Sequence, residues 1–176
     1  MNVAEYSAPV TLRNGRRVEI RALRPEDRDG MLAAIDRISA QSLYRRFFGA
    51  KRHFTDQEKS FFLDVDFVDH VALVAVLEES GQPVIAGGGR YIVLKPGQAE
   101  VAFAIVDQYQ GQGIGGILMR HLTGIAREAG LHELIAEVLP ENAAMMRVFE
   151  ASGLQFNKKR ESQTVHFVIH LGQRRP

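Results

Sequence analysis

Residues 107–120 read DQYQGQGIGGILMR, and this stretch decides how the chain around it folds. After its alternating glutamines and glycines, apolar residues recur at helical spacing from Gly113 to Ala129, and Gly130 is a natural helix terminator. The residues just before it, 100–106, are predicted to form a strand. The glycine-rich stretch therefore lies at a junction between a strand and a helix.

Such a junction is suited to binding an anion. The first N–H groups of a helix have no intrahelical partner, and the helix dipole adds about half a positive charge at this end. Glycine lets a ligand approach the backbone closely, so a phosphate group fits this position. The residues alone leave a second interpretation open, which is a tight turn that needs small side chains.

Two nucleotide-binding motifs compete for the same glycines. Gly111, Gly113 and Gly116 match GxGxxG formally, but that fingerprint follows the first strand of a parallel βαβ unit and precedes an acidic residue by about 20 positions. Here several predicted strands come first, and Glu133 lies before the next strand rather than at its end. A P-loop requires a lysine directly after its glycines, and none follows. Both motifs are therefore excluded.

The composition indicates one globular domain without an obvious charged partner. The chain has 176 residues, which we expect to form a single domain over residues 1–176. Lys and Arg number 22 against 21 Asp and Glu, so the net charge of +1 gives no reason to expect nucleic acid or a membrane as a partner. The absence of cysteine excludes disulfides and thiolate chemistry. With no signal peptide and no long apolar run, we expect a soluble, cytoplasmic protein.

Strand and helix patterns alternate along the chain, which predicts an α/β or α+β fold. Alternating apolar residues and apolar runs predict strands at residues 17–23, 71–77, 84–94, 100–106, 134–138, 154–157 and 164–171. Periodic apolar residues and capping signals predict helices from Pro25 and at residues 42–48, 55–63, 113–129 and 142–152. The sequence SGQP at residues 80–83 predicts the turn of an antiparallel hairpin.

Two motifs together resemble the GNAT superfamily of acyl-CoA-dependent N-acyltransferases. Gln110, Gly113 and Gly115 match the pattern Q/R-x-x-G-x-G/A, and ENAAMMRVFEASGL at residues 141–154 is similar to the family's Asn-started helix. The likeness covers a core of about residues 17–157. It implies a single GNAT-type domain with a central mixed, mostly antiparallel sheet flanked by helices.

The closer likeness is to bacterial protein lysine acetyltransferases that regulate acyl-CoA synthetases. The matching segments are RALRPED (21–27), SAQSLYRRFF (39–48), HVALVAVLEE (70–79) and AEVAFAIVDQYQGQGIG (99–115). The resemblance implies transfer of an acetyl group from acetyl-CoA to a primary amine, first of all a protein lysine such as one on an acyl-CoA synthetase. Acetylation of a small-molecule amine and a non-catalytic acyl-CoA-binding module stay open as alternatives. The further synthetase-like or cyclic-nucleotide-binding domain of those enzymes is not expected within these residues.

The resemblance also implies where acetyl-CoA binds. Its pyrophosphate would lie on the N–H groups around Gln112 to Gly116, and its pantetheine would pair with the backbone at Phe103 to Val106, between splayed strands. The residues expected at the acetyl-CoA site are Phe103, Ala104, Ile105, Val106, Gln110, Gly111, Gln112, Gly113, Ile114, Gly115, Gly116, Asn142 and Phe149.

Glu100 is the candidate general base. Direct attack on a thioester needs a neutral amine, so a base or a water chain must take a proton from an ammonium group of pKa about 10. On a strand, Glu100 shares a face with Ala102 and Ala104, whose small side chains leave room for a ligand. The residues alone also allow a solvated glutamate at a strand end. The resemblance, in which the matching glutamate is the base, favours catalysis.

Asn142 and Phe149 complete the predicted site. Asn142 is predicted to cap the helix that follows it, and the resemblance implies that it also bonds the pantetheine or a bridging water. Many GNAT enzymes carry a tyrosine seven residues later as the general acid for the thiolate, where this chain has Phe149. A CoA thiolate is a good leaving group, so the missing hydroxyl need not prevent turnover.

Other polar groups indicate weaker sites. Aromatic and basic residues mix at residues 44–53, but the balanced charge favours an amphipathic helix or a wall of the acceptor channel over a nucleic-acid surface. Residues 64–70 hold three aspartates and a histidine without a recognised ligand spacing. His166 and His170 share a strand face but offer only two metal ligands. We assign no metal.

Overall fold

The computed structural model describes residues 1–37 and 55–172. The predicted helix at residues 42–48 and the mixed aromatic and basic stretch at 44–53 lie outside the described residues. Within the described ranges, no helix is long and apolar enough to cross a bilayer.

Strands and helices alternate through the described part of the chain, as the sequence predicts. The strands are β1 (Ser7–Thr11), β2 (Arg17–Ala22), β3 (His70–Glu79), β4 (Gln82–Lys95), β5 (Gln98–Ile105), β6 (Glu133–Val138), β7 (Gln155–Glu161) and β8 (Thr164–His170). The helices are α1 (Arg28–Asp36), α2 (Asp56–Leu63), α3 (Ile114–Glu128) and α4 (Ala143–Glu150). Short 3-10 turns lie at Val3–Glu5, Pro25–Asp27 and Asp107–Tyr109.

All of these strands form one sheet in the order β1-β2-β3-β4-β5-β6-β8-β7. Neighbouring strands run antiparallel except β5 and β6, which are parallel. This confirms the mixed, mostly antiparallel sheet. The parallel pairing ends at Glu100 and Ile135, although β5 continues to Ile105 and β6 to Val138. Past Glu100 the two strands are therefore no longer paired, and the sheet opens between them.

Helices pack on both faces of the sheet. On one face, α3 buries Leu118, Leu122 and Ile125 and contacts β3, β4 and β5. On the same face, Phe149 of α4 contacts Phe103 of β5 at 6.1 Å between ring centroids. The opposite face carries α1, which contacts β4. We call the first the α3 face and the second the α1 face.

A buried ion pair fixes the start of α1. Both terminal nitrogens of the Arg21 guanidinium on β2 donate to the Asp27 carboxylate at 2.7 Å, and the Arg24 N–H donates to the same carboxylate. Burial would by itself raise the pKa of Asp27, but the hydrogen bonds from Arg21 and Arg24 outweigh it and lower that pKa. Two parallel bonds restrict orientation as well as distance. The helix is thereby held in a defined direction over the sheet.

The edge strands depart most from the sequence prediction. The apolar pattern does not predict β1, because this edge strand contains Pro9 and half-buries only Ala8 and Val10. Residues 154–157 mark the start of β7, but the strand runs on to Glu161 through charged residues that a solvated sheet edge tolerates.

The predicted hairpin between β3 and β4 is confirmed, with a shorter turn. Ser80 and Gly81 have φ of 50° and 78°, the positive values that a two-residue type I′ turn requires. Gln82 and Pro83 already belong to β4. Their pairing with the end of β3 extends the ladder to the turn itself.

Candidate active site

A cleft of about 1510 Å³ opens where β5 and β6 separate. It extends from the first turn of α3 to α1, and it is also lined by β4, β5, β6 and α4. Every residue that the sequence predicts for the site lines this one cleft, from Glu100 on β5 to Phe149 on α4. Ordinary ligand pockets have volumes of about 300–1,000 Å³, so the cleft has room for a large ligand and a second molecule.

The loop before α3 has the backbone of an anion site. Gly111 and Gly113 have φ of 78° and 87°, which glycine adopts without strain. Gly113 is the N-cap of α3 and forms no side-chain cap, so the first N–H groups of the helix are left for a ligand. The residues that carry them, Ile114 to Gly116, line the cleft.

Two glutamines hold this loop in place. The Gln110 side-chain amide donates to the carbonyl oxygen of Ile105 at 3.1 Å, which ties the loop to the end of β5. The Gln112 side-chain oxygen accepts from the Asn14 amide at 3.3 Å. The glutamine that begins the family pattern thus positions the glycine backbone relative to the strand.

Asn142 caps α4 as predicted. Its side-chain oxygen accepts the N–H of Met145 at 3.2 Å, the bond expected of an N-cap asparagine. Asn142 also lines the cleft. The start of α4 and the start of α3 therefore meet at the same cavity. Gly115 lets the two helices pack closely, because a Cβ there would lie only 3.2 Å from the side chain of Val148.

Glu100 is exposed at the point where the β5–β6 ladder ends. Val101 and Phe103 are buried on the α3 face, whereas Ala102 and Ala104 are half-buried and line the cleft. The irregularity in the β4–β5 ladder lies between Val93 and Lys95 on β4, before Glu100 is reached. The predicted facing of Glu100 with the two alanines is therefore confirmed.

Phe149 lies in the wall of the cleft and is 1% exposed. Its ring is between Phe103 and Phe167, at centroid distances of 6.1 and 5.3 Å. At the position where the resemblance to the family implies a tyrosine, this chain thus has an apolar ring within the core.

A histidine–arginine pair that the sequence did not predict lies on the α1 face. Arg90 of β4 pairs across the ladder with Ala102, lines the cleft, and donates to Nε2 of the buried His70 at 2.9 Å. Burial first, and then the Arg90 charge, lower the pKa of His70. A neutral His70 can accept this bond and so holds Arg90. In the sequence, the signal that could have identified Arg90 is the alternation of side chains between the two faces of β4 after its glycines.

One of the aspartates at residues 64–70, Asp66, has a structural role. One carboxylate oxygen of Asp66 accepts the N–H groups of Val68, Asp69 and His70, each at 2.9 Å. These hydrogen bonds, led by that of His70, lower the pKa of Asp66. The segment is a turn that leads into β3.

We expect the stability of the protein to fall as the pH drops below about 6.5, the pKa of an unfolded histidine. His70 has a lowered pKa when folded, so the unfolded chain binds the proton more tightly. The contribution of His70 to the free energy of unfolding is fully present above the pKa of the unfolded state. It is lost as the pH falls toward the lower pKa of the folded state. His70→Gln should therefore reduce the fall in melting temperature between about pH 7.5 and pH 5.5.

His121 supplies the control for this measurement. Burial and the nearby Arg120 also lower its pKa, so part of the fall should persist in His70→Gln. The double variant with His121→Gln should have the flattest profile. Parallel profiles for wild type and His70→Gln would contradict the expected role of His70.

The chain is similar to known acetyltransferases over most of its length. The family model for an acetyltransferase (GNAT) domain matches residues 17–155. An acetyltransferase of Pseudomonas aeruginosa is 34% identical over 161 residues, which make up 91% of this chain and 86% of that protein. The acetyltransferase Pat of Mycolicibacterium smegmatis is 34% identical over 149 residues, which are 82% of this chain but 43% of that protein. The GNAT domain of S. lividans PAT has a TM-score of 0.84 at 31% identity, with 93% of this chain and 96% of that domain covered.

Proposed function

Since this chain belongs to the GNAT acetyltransferase family and is an acetyl-CoA-dependent N-acetyltransferase, we propose that its acceptor is the side-chain amine of a protein lysine. The observation that carries the proposal is the cleft through the sheet, which joins the glycine loop to the exposed carboxylate of Glu100. The likeness to PAT and Pat supports a protein acceptor. The proposed acceptor protein is an acyl-CoA synthetase, because the enzymes that the sequence resembles regulate such synthetases.

The donor is proposed to bind along the opening in the sheet. The pyrophosphate would accept hydrogen bonds from the N–H groups of Ile114 to Gly116, where the α3 dipole also favours an anion. The pantetheine amides would pair with the edge of β5 that β6 leaves unpaired, at Phe103 to Val106. Asn142, at the start of α4, would bond the pantetheine from the other side.

The reaction is proposed to be a direct transfer in a ternary complex. Glu100 takes a proton from the lysine ammonium, and the neutral nitrogen then attacks the thioester carbon. The new C–N bond forms as the C–S bond breaks, and the nitrogen gives its second proton to solvent water, so that acetyl-lysine and the CoA thiolate are the products. The chain contains no cysteine that could carry the acetyl group as a thioester, which supports direct attack.

The thiolate is proposed to leave without a side-chain acid at residue 149. The phenyl ring of Phe149 has no proton to give, and it is packed between two other phenyl rings. A thiol has a pKa of about 8.5, so its anion is a stable leaving group at neutral pH and can be protonated by water.

Incubation with acetyl-CoA and a purified acyl-CoA synthetase tests the acceptor. We expect new acetyl-lysine on the synthetase, seen by mass spectrometry, with wild type and much less with Glu100→Gln. The same comparison on a whole proteome would reveal other lysine acceptors. If a small amine such as a polyamine is acetylated with a far higher kcat/KM than every protein, the proposal of a protein acceptor is wrong.

A further inference from the structure

A second carboxylate, that of Glu137 on β6, lines the cleft on the same face of the sheet as Glu100. Building on the proposed function, we propose that Glu137 selects the acceptor by binding a positively charged side chain next to the reacting lysine. Glu137 would thus determine specificity, while Glu100 acts on the reacting amine. The substrate class is a lysine with an arginine or a second lysine close to it.

The register of the sheet places Glu137 beside the reacting position. Glu100 is paired with Ile135, and Glu137 follows Ile135 by two residues, so the two residues of β6 share a face. Two residues of a strand span about 6.6 Å and paired strands lie about 4.8 Å apart, so the backbones of Glu100 and Glu137 are about 8 Å apart or more, a distance that a neighbouring side chain of the acceptor can bridge. Ala136 and Val138 are buried on the α3 face, which leaves Glu137 on the open side.

The carboxylate of Glu137 is held in position from behind. The Thr164 hydroxyl of β8 donates to one of its oxygens at 2.8 Å, and Nδ1 of His166 contacts the other. The side chain is still 37% exposed, so it can take another hydrogen-bond donor from solvent. A carboxylate fixed in advance loses less entropy when it binds a cation than a freely rotating one.

The charges around Glu137 favour a cation. The carboxylate of Glu161 has an oxygen within 4.8 Å of ligand atoms of both Glu137 and His166. Across the sheet, His166 of β8 lies between Glu137 of β6 on one side and Lys159 of β7 on the other. Glu137 and Glu161 carry two negative charges against the one positive charge of Lys159, and Glu100 adds a third carboxylate that lines the same cleft. A basic acceptor segment is therefore attracted here, and an acidic one is not.

The experiment uses two acceptor peptides that differ only beside the target lysine, where one carries arginine and the other glutamine. Wild type should prefer the arginine peptide in kcat/KM, and Glu137→Gln should lose about fivefold of that preference, the effect of one partly exposed ion pair. The loss should appear in the KM for the arginine peptide, with kcat and the KM for acetyl-CoA unchanged. The wild-type preference should also shrink in high salt.

Two further variants keep the test decisive. Thr164→Val removes a hydrogen bond to Glu137 but keeps its charge, and should raise the KM for the arginine peptide by a smaller factor. Glu161→Gln removes an equal charge that does not line the cleft, and should leave most of the preference intact. Thermal melting would show that the variants are folded.

The possible failures are distinguishable. If wild type acetylates both peptides but Glu137→Gln keeps the full preference, the inference is wrong and the proposed function stands. An equal loss of preference in Glu161→Gln would also overturn the inference. The summed negative charge of the region, and not a contact with Glu137, would then explain the preference. If neither peptide is acetylated while small amines are, the proposal of a protein lysine fails and the role of Glu137 falls with it.

Discussion

Replacing Glu100 by Gln should lower kcat for lysine acetylation by about a hundredfold or more at neutral pH, as expected when a general base is removed. A lysine amine has a pKa of about 10.4, so nearly all of it is protonated there and cannot attack the thioester. Glutamine keeps the shape of Glu100 but cannot take the proton. Because Glu100 is exposed, the substitution should leave the fold and the affinity for acetyl-CoA intact.

The pH profile of kcat/KM distinguishes the loss of a general base from other causes of a lower rate in Glu100→Gln. In Glu100→Gln, kcat/KM should rise about tenfold per pH unit toward the acceptor pKa, because the neutral amine must then come from solution. The gap to wild type should therefore narrow at high pH. Glu78→Gln removes an exposed carboxylate from β3, outside the cleft, and should behave as wild type. Equal rates for Glu100→Gln and wild type at neutral pH would show that another group takes the proton.

The glycine loop could be predicted from the sequence because its properties are local. The positive φ of Gly111 and Gly113 and the start of α3 all depend on a few consecutive residues. The same holds for the Asn142 cap, which joins residues three positions apart. Which side chains of one strand share a face of the sheet also follows from adjacent residues. The shared face of Glu100, Ala102 and Ala104 could therefore be predicted.

The partners across the sheet could not be predicted in this way. Arg90 and His70 are 20 residues apart, and Glu137 and His166 are 29 residues apart. Their contacts depend on which strands are neighbours and on the register between them, which periodicity along a single strand does not contain. For the same reason, the sequence indicates only two possible metal ligands here, His166 and His170. Long-range pairing brings Glu137 and Glu161 to His166, and it gives His170 a different partner, Asn157.

The role of Phe149 could be predicted only in part. The sequence shows that this side chain has no hydroxyl, but it does not show where the ring packs. The structure packs the ring between strands β5 and β8, against Phe103 and Phe167. The residue for which the resemblance implies a general acid thus contributes to the core of this chain.

Replacing Gly116 by Leu should weaken acetyl-CoA binding by about a hundredfold or more, because the pyrophosphate would lose several charge-assisted hydrogen bonds of about 1.5–3 kcal/mol each. Gly116 is in the first turn of α3 and lines the cleft. A Cβ added there would meet no protein atom within 4 Å, so the leucine side chain would enter the cleft rather than the core. Leucine also favours a helix over glycine by about 0.5–1 kcal/mol. The melting temperature should therefore stay the same or rise while binding is lost.

Isothermal titration calorimetry with acetyl-CoA, together with thermal melting, measures the two effects separately. Gly116→Ala should weaken binding less than Gly116→Leu, because the obstruction is steric and grows with the side chain. Gly124→Leu makes the same change about 12 Å farther along α3, where the residue still lines the cleft but lies beyond the first-turn N–H groups, and it should affect binding least. A wild-type Kd in Gly116→Leu would mean that the first turn of α3 does not hold the pyrophosphate. The anion site that the glycine stretch predicts would then have to lie elsewhere in the cleft.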